Sequence, residues 1–228
     1  MSAVPDHTTT QKIVSEAVGS FFLFAGVIGS GIMAEALAGG NVAIALLGNT
    51  VAVGAILYVL IAMLAPISGA HFNPAVTLAF LIRREIGVVA SGLYVVSQLV
   101  GGAIGVLCVH FMFEMPILQF STKARAGIGQ WTGEFVATFG LVLTVLVLLR
   151  YRAEAIPAAV ALYISSAIWF TSSTCFANPA ITVIRSLTDT FVGIAPGDAP
   201  LFIAAQLAGA VVAVLFAALM TAPPEATR

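Results

Sequence analysis

Two copies of Asn-Pro-Ala, Asn73-Pro74-Ala75 and Asn178-Pro179-Ala180, are the residues of this sequence best placed to do chemistry. Asparagine is a strong helix N-cap and proline is favoured at the first helical position, so each copy reads as a helix start. A helix start offers a side-chain amide, unpaired backbone N–H groups and partial positive charge. That is hydrogen-bonding and charge-excluding chemistry, in which no covalent bond is made. The residues of catalysis are missing: no nucleophile–base pair, HExxH or paired aspartates stand in the apolar segments, which argues against an enzyme. Cys108 and Cys175 lack metal-type spacing, so neither a disulfide framework nor a zinc site is expected.

Glu16 and Glu134 lie in apolar runs, where a carboxylate is costly and marks function by default. Two roles fit them: a proton relay, as in a proton-coupled secondary transporter, or a clamp holding backbone N–H groups of the loop before each box. His71, inside "GAHFNP", is either a titratable group of a pathway or a residue that shapes the loop. His110 reads as a packing or interfacial histidine. Arg185 follows the second box by a turn and stands four residues before Asp189, a spacing that suits an ion pair.

The elements that position these residues are read from composition. The chain has 228 residues, 60% hydrophobic and 8% charged, with mean hydropathy +1.08. Ordinary soluble domains carry about 25% charged residues, so this is an all-α integral membrane protein, its main partner the lipid bilayer. Net charge −1 offers no nucleic-acid surface. The polar start "MSAVPDHTTTQK" lacks the features of a cleaved signal peptide. Six stretches are long enough to span: 13–34, 42–67, 86–113, 131–149, 156–173 and 199–221. Two apolar segments, 72–82 and 176–187, are half that length and open on the boxes. A half-span cannot end in lipid with bare backbone, so both are expected to be re-entrant half-helices lining a cavity.

With the N-terminus inside, Lys12, Arg83, Arg84, Arg150, Arg152 and Arg228 fall in the cytoplasm, and Lys123, Arg125 and Arg185 outside. Six against three places both termini in the cytoplasm of an inner-membrane protein. The chain also repeats itself: "SEAVGSFFLFAG" resembles "GEFVATFGLVLT", aligning Glu16 with Glu134, and "SQLVGGAIG" resembles "AQLAGAVVA", aligning Gln98 with Gln206. Within one channel domain, 1–228, a first repeat (13–113) with three spans therefore precedes an inverted second repeat (131–221). Inverted repeats with interrupted helices put their site at the midplane, where the two positive helix ends disfavour cations and protons. The residues before the boxes are expected to present a ladder of carbonyls, from Gly69, Ala70 and His71 and from Thr174, Cys175 and Phe176.

"SGAHFNPAVT" and "ANPA", together with Glu16, Glu134, Gln98 and Gln206, resemble the aquaporin and aquaglyceroporin (major intrinsic protein) family over nearly the whole chain. The resemblance implies a homotetramer with one pore per subunit, passive conduction of water or small neutral solutes, no cofactor, and a loop-supporting role for the two glutamates. It also implies an outer selectivity constriction; ungapped counting from the boxes gives Val53, Ser166, Cys175 and Ile181. Typical members have an aromatic at the first of these positions, arginine at the last and, in strict water channels, histidine at the second. The substitutions here suggest a wider ring suited to glycerol-like polyols, urea or metalloid hydroxides such as arsenous acid. Arg185, one turn beyond Ile181, is a candidate for the outer vestibule.

Overall fold

A computed structural model describes residues 7–221; Arg228, counted above for orientation, lies outside them. Among the described residues the chain is helical throughout: α1 (Thr9–Leu37), α2 (Val42–Ser68), α3 (Pro74–Ile82), α4 (Val88–Met112), α5 (Ile128–Tyr151), a 3-10 turn (Ala153–Ala155) leading into α6 (Ile156–Phe170), α7 (Pro179–Arg185) and α8 (Ala199–Thr221). Six of these segments are long and apolar enough to cross a membrane. The two half-length segments form α3 and α7, of 9 and 7 residues. At about 1.5 Å per residue neither reaches across a bilayer core.

Local chemistry sets the ends. Thr8 caps α1 through a capping box with Gln11, and Asn41 caps α2 by accepting from the N–H groups of Ala43 and Ile44. α2 stops at Gly69, whose φ of 87° is left-handed and therefore suits glycine. Asn73 and Asn178 cap α3 and α7, each with proline behind it. These segments begin where the sequence places them.

α1 packs chiefly on α4, and α5 chiefly on α8. Glycine makes these crossings close. A Cβ at Gly101 would stand 2.1 Å from the carbonyl oxygen of Ala17, and one at Gly209 would stand 2.5 Å from that of Phe135. The backbones touch at these points, as small residues allow between helices in lipid. α2 and α6 close the opposite side, pinned by a 3.1 Å bond from Trp169 Nε1 to Thr50 Oγ1. The half-helices fill the middle, and large apolar side chains cover the outside, as a lipid-facing surface requires.

Candidate functional site

The loops before the two boxes are extended chain in unusual conformations. Ala70 and Phe72 on one side, and Thr174, Cys175 and Ala177 on the other, have φ between 47° and 63°. Each left-handed non-glycine residue costs about 1–2 kcal/mol, so these loops need external support. The glutamates supply it. Glu16 Oε1 accepts from His71 N at 2.9 Å and Ser68 Oγ at 2.7 Å, and its Oε2 accepts from Phe72 N at 2.7 Å and Gln98 Nε2 at 2.8 Å. Glu134 Oε1 accepts from Phe176 N at 2.8 Å, and its Oε2 from Ala177 N at 2.9 Å and Gln206 Nε2 at 2.5 Å. Both carboxylates are fully buried, each of their oxygens accepts at least one donor, and neither residue lines the central cavity, which is the geometry a clamp needs.

The half-helices meet N-terminus to N-terminus and hold each other. Asn73 Oδ1 caps its own helix through Ala75 N while its Nδ2 donates to Ala177 O at 2.7 Å. Asn178 Oδ1 caps α7 through Ala180 N and Ile181 N, and its Nδ2 donates to Phe72 O at 2.8 Å. Each asparagine thus fixes the turn before the other's helix. Thr77 and Thr182 donate to the carbonyls of Asn73 and Asn178 and contact Gln98 and Gln206 in the same way.

One continuous cavity of about 650 Å³ passes this junction, lined by Asn73 and Asn178 at its middle. At one end stand Lys123, Arg125 and Arg185, at the other Glu154 and Leu149. Gly69, Ala70 and His71 line one half, and Thr174, Cys175 and Phe176 the other. Among the described residues no protein donor reaches the carbonyls of these six. His71 Nδ1 lies 3.1 Å from Thr77 Oγ1, and its ring stacks at 4.5 Å on Phe80, so it braces the loop from within the wall.

Val53, Cys175 and Ile181 all line the cavity. Ser166 does not: it is exposed on the far side of α6, whose cavity face is Val160, Ile164 and Ile168. Two residues along a helix turn the side chain by about 200°, so ungapped counting through the 171–177 loop put the wrong face inward. The wall there is isoleucine. Arg185 also departs from the ion pair its spacing suggests. Asp189 accepts instead from Thr122 N and Thr122 Oγ1, while Arg185 Nε donates to Val192 O and its guanidinium lies 3.3 Å from the centroid of the Phe176 ring. Helix α7 ends at Arg185, so Asp189 is no longer one turn along the same helix.

Sequence reasoning missed Arg125. It lies in the loop between α4 and α5, donates from Nε to Gly193 O at 2.7 Å, and places its guanidinium 5.1 Å from the same Phe176 ring. Burial lowers its pKa to about 10, with the Glu134 charge opposing the shift, so it remains a cation at neutral pH. Burial, followed by the neighbouring Arg125, also lowers that of Lys123. A signal for the contact of Arg185 with Phe176 did exist in the sequence. The 105-residue offset between the asparagines pairs His71 with Phe176 and Phe80 with Arg185, and the stack of His71 on Phe80 is matched by the stack of Phe176 on Arg185. His110 is not interfacial: fully buried, it bridges Ile117 O and Thr188 Oγ1, tying the two loops of that vestibule together.

Six spanning helices around two half-helices that meet at a lined passage define a membrane channel. Residues 4–176 match the model of the major intrinsic protein family, and the chain belongs to that family. It is 50% identical over 204 residues to aquaglyceroporin AqpS of Rhizobium meliloti (strain 1021), covering 90% of this chain and 87% of the relative. It is 34% identical over 137 residues to nodulin-26 of Glycine max, covering 59% of this chain and 49% of that protein. The crystal structure of the aquaglyceroporin from Plasmodium falciparum has the same fold, with TM-score 0.67 at 20% identity over 92% of this chain and 95% of that one. The family match ends two residues before Asn178, short of the segment where isoleucine stands directly after the second box.

Proposed function

We propose that the chain conducts small uncharged solutes passively, with water, and that its solutes are drawn from glycerol-like polyols, urea and metalloid hydroxides such as arsenous acid. The observation that carries this is the wall around the second box: Val53, Ile164, Ile168, Cys175 and Ile181 give an apolar ring with no fixed cation at Ile181. Carbonyls supply acceptors along an otherwise apolar wall, and the two asparagine amides supply donors at the centre. A neutral molecule with several hydroxyls can exchange water for both, whereas a cation meets two positive helix ends. Similarity to proteins named as aquaglyceroporins supports the same reading. The occupied carboxylates of Glu16 and Glu134 speak against the proton-coupled alternative.

The selectivity ring in this reading is Val53, Ile164, Ile168, Cys175 and Ile181. Residues 13–113 and 131–221 act as inverted repeats of one channel domain, an arrangement supported by the paired bond sets above. The protein works as a homotetramer in the inner membrane with both termini in the cytoplasm, which puts the Arg185 vestibule outside. Stopped-flow swelling of proteoliposomes in water, glycerol, urea and arsenite tests the function. Linear, non-saturating flux of at least one neutral solute, insensitive to a pH gradient, is expected. Saturable flux driven by a pH gradient would overturn the proposal.

A further inference from the structure

Three cations line the Arg185 vestibule: Lys123, Arg125 and Arg185. Arg185 is only 5% exposed, yet among the described residues its side chain has one hydrogen-bond partner, Val192 O on Nε. Both of its Nη groups lack a protein acceptor while the residue lines the cavity. Arg125 uses Nε on Gly193 O, and one Nη makes long contacts of 3.3 and 3.4 Å to Ser173 O and Thr174 Oγ1; the other Nη has none. The two guanidinium carbons sit 3.3 and 5.1 Å from one ring centroid, so they can be no further apart than those two lengths laid end to end.

The nearby acids make no direct contact with either guanidinium. The charge of Glu134 bears on Arg125 and Arg185, but its oxygens are taken by Phe176 N, Ala177 N and Gln206 Nε2. Glu35 bears on Lys123, Asp198 accepts the backbone N–H of Arg125 at 2.7 Å, Asp189 is held by Thr122, and no ion pair among the described residues reaches either guanidinium. A buried cation that is not directly paired is unfavourable unless its donors find acceptors. An anion would supply both acceptors and charge to the unpartnered Nη groups of these two planar donors. Inward of the pair the cavity is lined by Thr174, Cys175 and Phe176, whose carbonyls are acceptors and offer an anion no donor, and by the apolar side chains of Ile164, Ile168 and Ile181.

We propose that the Arg185 vestibule is a binding site for a small monovalent anion, a halide in its simplest form, held by the Nη groups of Arg185 and Arg125, where it obstructs neutral solute without itself crossing. The obstruction rests on the conduction of neutral solutes proposed above; the binding does not.

Two readouts separate the two claims. The first is chloride-35 line broadening on the detergent-purified protein. The second is glycerol swelling of proteoliposomes with chloride exchanged for the bulkier gluconate at constant osmolarity and ionic strength. Wild type is expected to broaden the chloride line and to show glycerol flux that falls hyperbolically with chloride. Arg185→Gln and Arg125→Gln should each lose both effects, and Arg185→Lys should keep part of each. Unchanged broadening in the glutamine variants, or none in wild type, would overturn the site. Chloride current through wild-type vesicles would overturn binding without passage. If no vesicle passes glycerol even in gluconate, the conduction reading fails, and line broadening alone decides the site.

Discussion

Replacing Glu134 with glutamine tests whether the carboxylate is a clamp or a relay. Glu134 receives three donors: Phe176 N on one oxygen, Ala177 N and Gln206 Nε2 on the other. Glutamine retains one acceptor and turns the other into a donor. Oriented to keep Ala177 N and Gln206 Nε2, its amino group faces the N–H of Phe176, donor against donor; flipped, it strands two donors instead of one. One orphaned buried donor costs about 1–3 kcal/mol, and changing two charge-assisted bonds into neutral ones removes roughly 1 kcal/mol each, for a total of about 3–5 kcal/mol. At roughly 2–4 °C per kcal/mol for a chain of this size, the expected loss in Tm is on the order of 10 °C. The assay is thermal unfolding in detergent by fluorescence-detected size exclusion, beside swelling measured at several pH values. Lower Tm with weaker flux at every pH is the expected result, since residues 174–177 would lose their support. A variant with wild-type Tm whose flux has lost only its response to a pH gradient would refute the clamp.

Three further outcomes are expected. Ile181→Arg adds a long cation to the apolar ring and should reduce glycerol and urea swelling far more than water swelling; equal loss of all fluxes would count against Ile181 lining the narrow part. Mercurials should block swelling through Cys175, which is buried in the cavity wall, and not through Cys108, so block that survives Cys175→Ser would place the reactive thiol elsewhere. Gly101→Ala should lower stability by about 1–3 kcal/mol, because the new methyl meets the carbonyl of Ala17, a backbone atom that cannot rotate away; an unchanged Tm would show that α1 and α4 part at no cost.

The spans and half-helices were legible because hydropathy over 18 or more residues and the Asn-Pro signal both act locally. The clamp role of Glu16 and Glu134 was one of two readings open to the sequence; burial with a donor on every oxygen is the geometry a clamp needs, and the glutamine variant tests it. What failed was register through loops. Ser166 was reached by counting across residues 171–177, where left-handed backbone breaks helical periodicity, and the count lost the face. The Arg185–Asp189 pair failed for a related reason, as α7 stops at Arg185. Arg125 carries no local signal at all: it reaches Phe176 from a loop 51 positions away in sequence, and only the closed tertiary structure brings them together.

The exchanged bonds between Asn73 and Ala177 and between Asn178 and Phe72 have the form of an isologous contact, the kind by which two identical subunits close a dimer about a two-fold axis. Here both partners belong to one chain, so their association is intramolecular and proceeds at high effective concentration. A true dimer would show every substitution at both of its ends. A fused pair escapes that restriction: Phe80 and Arg185 occupy equivalent places, yet one presents an aromatic ring and the other a cation. Covalent linkage therefore lets a symmetric contact at the centre hold open a conduit whose two mouths can be tuned independently.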